Sequence, residues 1–279
     1  MSSDHLHTSM ERREFLRRLA WITGSVAAAN AVLPLVEINY AKAATIAEDD
    51  PRLEASSINY PAQKGEVRAY LVKPKKEGKL PSVIVIHENR GLNPHIEDVT
   101  RRVALEGFLA LAPDALSPLG GTPSDSDRAQ ALIGELNRQT TIENYVSAVS
   151  FLKTDPLSSG KVGCVGFCWG GGMVNQLAVH SNELLAAAAF YGGQPASEDV
   201  KKIQASLLLH YAGLDSRINA GIPAFEEALK KTNVKYTLYM YEGVNHAFHN
   251  DTVPTRYDES AAKLAWQRTI AFFNEKLKS

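Results

Sequence analysis

The chain has 279 residues, with 30 Lys plus Arg against 31 Asp plus Glu and a formal net charge of -1. That balance, with a pI of about 6.7, excludes the basic surface that nucleic acid or an anionic membrane would select. The only two cysteines, Cys164 and Cys168, sit inside and at the end of one expected strand, so they are not placed to form a structural disulfide.

Residues 1–44 read as a segment apart from a domain at 45–279. Arg12-Arg13 stands before a mildly apolar run from Leu19 to Val36, which is interrupted by Gly24, Asn30 and Pro34. Ala41-Lys42-Ala43 then offers a small-residue cleavage site. The pattern resembles a twin-arginine export signal. It implies the translocation machinery as a transient partner, a periplasmic destination and no stable membrane insertion. Without a working signal the protein would stay in the cytoplasm.

From Glu48 onward, strands and helices alternate. Glu66–Val72 has the period-2 pattern of a half-buried strand. Ser82–His87 is a Val/Ile run of the kind covered on both faces in a parallel sheet. A helical pattern runs from Ile96 to Glu106, and Phe108–Ala112 is the next strand, closed by Pro113-Asp114. Ser124–Lys153 reads as helical with a break at Gly134. The segments Ala186–Tyr191, Ser206–Tyr211 and Tyr236–Tyr241 are further strands, and Lys263–Lys278 is a closing amphipathic helix. There is no internal repeat or low-complexity linker. Repeated βα units predict one α/β domain, a mostly parallel sheet with helices on both faces.

Chemistry concentrates where Lys161–Phe167 breaks into Gly166-Phe167-Cys168-Trp169-Gly170 and a helical stretch begins. This G-x-C-x-G has the form of a nucleophile elbow carrying cysteine where serine is usual. The helix N-terminus that follows favours thiolate over thiol. A cysteine nucleophile needs a base, and the base an orienting acid, in the chain order nucleophile, acid, base. Asp215 follows the apolar strand ending at Tyr211, and His246 follows the strand ending at Tyr241, with His249 as its rival. No Cys/His group has zinc spacing, since His95 is too far along for His87-Glu88 to open a zinc-protease motif. No metal or organic cofactor is expected.

Gly-Phe-Cys-Trp-Gly-Gly, Gly-Leu-Asp, Asn-His-Ala-Phe and His87-Glu88-Asn89-Arg90-Gly91 together resemble the dienelactone hydrolase family of α/β-hydrolases, over roughly residues 55–279. The resemblance implies the α/β-hydrolase fold and hydrolysis of an ester or lactone through a cysteine acyl-enzyme. It also implies that Glu88 helps form the thiolate. The backbone N–H groups of Trp169 and Asn89 would make the oxyanion hole.

Two departures bear on substrate. Where dienelactone-cleaving members carry carboxylate-binding arginines, this chain has Ser117-Pro118 and, four residues after His246, Asn250. Arg90 and Arg217 are the candidate replacements, with Asn250 itself a third substrate-binding candidate. The expected partner is a small ester or lactone. A receptor-like member that binds without turnover, a thioesterase and a peptidase are the alternatives, and oligomeric state is not legible.

Overall fold

The structure is a computed structural model that describes residues 46–278. The expected export signal lies outside the described residues. Strands β1 (Leu53–Pro61) and β2 (Glu66–Pro74) form an antiparallel hairpin, followed by β3 (Leu80–Ile86), helix α1 (Pro94–Leu105) and β4 (Leu109–Pro113). Helices α2 (Ser126–Glu135) and α3 (Arg138–Thr154) lead into β5 (Ser158–Phe167) and α4 (Trp169–His180). The chain continues through β6 (Ala186–Phe190), β7 (Ser206–Ala212), a one-turn α5 (Ser216–Asn219), α6 (Ile222–Thr232), β8 (Tyr236–Tyr241) and α7 (Glu259–Leu277). The eight strands make one sheet in the order β1-β2-β4-β3-β5-β6-β7-β8. From β4 to β8 all neighbours are parallel, and only β2, antiparallel to both β1 and β4, runs against the rest.

Alternation along the strands sorts the core into two layers. Ile84, Ile86, Cys164, Leu207 and Leu209 face α3, α4 and α6, packing with Tyr145, Leu177 and Phe225. Val83, Val85, Val165, Phe167 and Leu208 face the opposite layer, where Val99, Val103 and Phe273 come from α1 and α7. Both faces of the inner strands are therefore dry, which is why they read as unbroken apolar runs.

Three details differ from the sequence reading. The long helical stretch breaks at Leu136-Asn137 rather than Gly134, because the Asn137 side chain accepts from Thr140 N at 2.9 Å and caps α3. Strand β1 escaped notice because most of its residues are exposed and it lacks an apolar face. Helix α7 begins at Glu259, four residues before Lys263, where Asp258 caps it. Among the described residues no helix is long and apolar enough to cross a membrane.

The sheet brings backbones very close beside β5. Four alanines, Ala186–Ala189, keep β6 thin, and just beyond it Gly192 passes Gly171 of α4. A Cβ on Gly192 would fall far inside van der Waals contact with the Gly171 main chain, whereas one on Gly193 would meet nothing within 4 Å. Gly192→Ala is therefore expected to cost at least about 1–3 kcal/mol. Gly193→Ala should stay within about 0.5 kcal/mol of wild type. Denaturant unfolding of the two variants checks the pair, and equal losses would contradict this packing.

Candidate active site

Cys168 occupies the turn between β5 and α4 with φ 54° and ψ -115°. A non-glycine residue held there is strained, and such strain collects at functional sites. Two of the three other described non-glycine residues with positive φ, Tyr191 (39°) and Ala247 (67°), belong to the same site. Cys168 N donates to Phe190 O at 3.1 Å, and Gly172 N to Cys168 O at 3.1 Å, so both neighbouring elements fasten the turn. A Cβ on Gly170 would collide with the carbonyls of Ile86 and His87, so only glycine lets α4 start this close to β3. Cys168 is partly exposed, while Cys164 is fully buried and its thiol is pushed far above the usual range by desolvation.

Asp215 caps α5, accepting from Ile218 N at 3.3 Å, and its Oδ2 lies 2.5 Å from His246 Nδ1. Burial alone would raise the Asp215 pKa, but the bonds from His246 and Ile218 and the nearby Arg217 charge leave it below the usual value. His246 shows the converse. Burial pulls its pKa down, yet hydrogen bonds to Asp215 and to Cys168, with their charges, carry it up to about 9. The sequence-predicted Cys168, Asp215 and His246 are thus brought together. His249 is not part of the group. It is buried between Phe167, Phe190 and Trp266 at ring distances of 4.9, 5.1 and 5.6 Å, and desolvation lowers its pKa to about 3.

Glu88 reaches the site from the loop after β3. Its Oε2 accepts from Asn250 Nδ2 at 2.5 Å, while Oε1 is buried with no hydrogen-bond partner. Asn250 is oriented in turn by Thr252, whose N and Oγ1 donate to its Oδ1 at 3.0 and 2.6 Å. Both ends of the Asn250 amide are spent in this way, so the side chain is a clasp on Glu88 rather than a group free to hold substrate. Tyr191, unremarked in the sequence, is fully buried. Desolvation raises its hydroxyl pKa well above the usual value, and the Glu88 and Cys168 charges raise it further.

The loop carrying Asn89 is set by His87. Ala115 N donates to His87 Nε2 at 3.2 Å, so the proton sits on Nδ1, which donates to Glu88 O at 2.6 Å. Burial lowers the His87 pKa and keeps the ring neutral, as this pattern requires. The ring stacks on Trp169 at 5.2 Å and 9°. Trp169 opens α4, so its backbone N–H has no carbonyl four residues earlier within the helix and can serve an outside acceptor.

Neither replacement arginine is a ready-made substrate clamp. Arg90 Nη1 donates to Ser126 Oγ at 2.6 Å and Asp127 Oδ1 at 2.9 Å, which ties it to the start of α2. Arg217 is exposed on α5, and the charge it offers acts on Asp215. A further latch lies next to Asn250. Arg102 bridges Asp98 and Asp251, and His95 Nδ1 stands 3.2 Å from Asp251 Oδ1. Against the opposing effect of burial, these partners hold Asp251 down at about 2. They fasten the loop bearing His246 to α1.

Comparison with known proteins matches this architecture. A profile of the dienelactone hydrolase family matches residues 67–277. The protein named "Putative carboxymethylenebutenolidase" of Salmonella typhi is 31% identical over 240 residues, covering 80% of this chain and 88% of that one. A "Putative hydrolase fragment" of Escherichia coli K12 is 53% identical over 105 residues, 37% of this chain and 90% of that one. Among solved structures, the crystal structure named as a putative dienelactone hydrolase from Klebsiella pneumoniae superposes with a TM-score of 0.73 at 28% identity, covering 80% of this chain and 99% of that one. The fold, the extent of the matched span and these relatives agree, and the chain belongs to the dienelactone hydrolase family.

Proposed function

We propose that this protein hydrolyses a carboxylic ester or lactone through an acyl-enzyme on Cys168, with His246 as base and Asp215 as its orienting acid. The observation that carries the reading is the chain of contacts from Asp215 to His246 to Cys168, with the imidazole held at a pKa of about 9. A ring that prefers to be protonated stabilises a neighbouring thiolate. With Nδ1 fixed on Asp215, Nε2 is the nitrogen left for the sulfur and, later, for the leaving group.

In this reaction Cys168 Sγ attacks the carbonyl and the C–O bond of the leaving group breaks. His246 gives that oxygen its proton. Water, deprotonated by His246, then attacks the thioester and releases the acid and the thiol. The Trp169 and Asn89 amides receive the oxyanion at each tetrahedral stage. Glu88, clasped by Asn250 with one oxygen free, takes up the thiol proton when the site is at rest. The family and its carboxymethylenebutenolidase-named relatives support ester or lactone cleavage. At the two positions where dienelactone-cleaving members carry carboxylate-binding arginines, this chain has the uncharged Ser117-Pro118 and Asn250, so we assign neutral esters or lactones the better fit there. Residues 1–44 we assign to twin-arginine export, which makes the mature enzyme periplasmic.

Asp215→Asn should lower kcat/KM for a p-nitrophenyl ester by about 10³–10⁴-fold, and Cys168→Ala should abolish turnover. His246→Ala should cost far more activity than His249→Ala, which instead empties a packed site and should cost about 2–4 kcal/mol of stability. A reversal of the two histidines would overturn the assignment. Iodoacetamide at pH 7, read by mass spectrometry, should modify Cys168 well before Cys164 in the native protein. For export, Arg12→Lys with Arg13→Lys should leave uncleaved precursor in the cytoplasm of a competent host, whereas wild type should mature to an N-terminus near Ala44.

A further inference from the structure

A cavity of about 310 Å³ has Trp169, the residue after Cys168, in its lining and is used by none of the steps above. One wall is a single face of α4, formed by Trp169, Gly172, Met173 and Gln176 at helical spacing. Ile133 and Leu136 from the end of α2, with Arg138 and Thr141 from the start of α3, make the other wall. Gly193 and Gln194 also line it, and both are held in place. Asn175 Nδ2 donates to Gly193 O at 2.9 Å, and Gln194 Nε2 donates to Tyr211 Oη and Ile218 O. The volume is at the small end of ligand pockets, enough for one arm of a substrate.

Its chemistry changes along its length. Near Trp169 the lining is apolar, with Met173, Ile133 and Leu136. Seven residues further along α4, about 10 Å at the helical rise, stands Gln176. Gln176 is 8% exposed, and its side-chain amide has no hydrogen-bond partner among the described residues. With no protein partner, this amide is left to bond solvent or a polar ligand atom. On the facing wall the Arg138 guanidinium is exposed and makes no ion pair or hydrogen bond among the described residues. Arg138 also opens the 17-residue helix α3, whose positive end adds to its charge. No Asp or Glu lines the cavity.

We propose that this cavity is the acyl-arm subsite and that it takes an apolar arm ending in a carboxylate, received by Arg138 and Gln176. The inference rests on the hydrolase reading and gives it a substrate class: hemi-esters of medium-length dicarboxylic acids, or esters with an equivalent anionic tip.

The test compares p-nitrophenyl hemi-esters of succinate through sebacate with p-nitrophenyl alkanoates of matching length. Wild type should prefer the hemi-ester only once the arm is long enough to span Trp169 to Gln176. The ratio of kcat/KM, hemi-ester over alkanoate, should fall about 5-fold in Arg138→Gln, and further in Arg138→Glu, as expected for one partly exposed charge contact. Gln176→Leu, which keeps the bulk of the side chain, should lower the same ratio. A binding arm needs no turnover: suberate titrated into Cys168→Ala should change Trp169 fluorescence saturably, and Arg138→Glu should weaken it. If the esters are cleaved but the ratio ignores chain length and all three variants, the subsite is refuted. If no ester is cleaved, the hydrolase reading falls instead, and the suberate titration still decides the subsite: a signal weakened by Arg138→Glu upholds it, and no signal overturns it.

Discussion

The site depends on how closely backbones cross at the start of α4. Gly166 passes so near the Gly170 carbonyl at the start of α4, Gly170 so near the end of β3, and Gly171 so near the end of β6, that a Cβ at any of the three would overlap a carbonyl. That crowding holds Cys168 at positive φ, a conformation its own side chain disfavours. Strain of about 1–3 kcal/mol persists only because the neighbours leave no other path. Cys168 N on Phe190 O and Gly172 N on Cys168 O tie the same turn to β6 and to α4.

The second organising feature is the stretch from His246 to Asp251, in which successive side chains go to different partners. His246 turns to Asp215, His249 enters the aromatic core, Asn250 holds Glu88, and Asp251 joins Arg102 and His95. Six residues thus anchor both carboxylates of the site to one loop. The Ala247 φ of 67° is the backbone turn that lets adjacent side chains diverge so sharply. The clasp on Glu88 is a neutral amide, so the carboxylate is oriented without being neutralised. An arginine there would pair with the charge and weaken Glu88 as a base.

Much of this was legible in the sequence, and the legible parts share a cause. Buried parallel strands must be apolar on both faces, so Ser82–His87 and the strand before Cys168 announce themselves. The elbow is legible because its glycines are dictated by backbone contact. Asp215 could be placed because it follows such a strand, and His246 because it follows the aromatic edge strand β8. What stayed hidden depends on side-chain direction, which spacing does not encode. Asn250 and Arg90 sit next to site residues, yet one is spent on Glu88 and the other on Ser126 and Asp127. Arg138 and Gln176 lie far apart in sequence and line one cavity only because α3 packs beside α4. The cap at Asn137 outweighed Gly134 as a helix break, since a satisfied N-terminus stabilises more than one glycine in a helix interior costs.

The placement of the two sulfurs carries a consequence for oxidative durability. Cys164 points into the core from the middle of β5, whereas Cys168 opens to solvent at its end. The chain contains no third cysteine. A peroxide that oxidises Cys168 to a sulfenic acid therefore finds no exposed thiol within the molecule to capture it as a disulfide. Recovery must come from an external reductant, and without one the sulfur proceeds to the sulfinic and sulfonic acids, which are not reversed. A partly exposed cysteine at this turn makes the chemical state of each molecule a function of its redox surroundings.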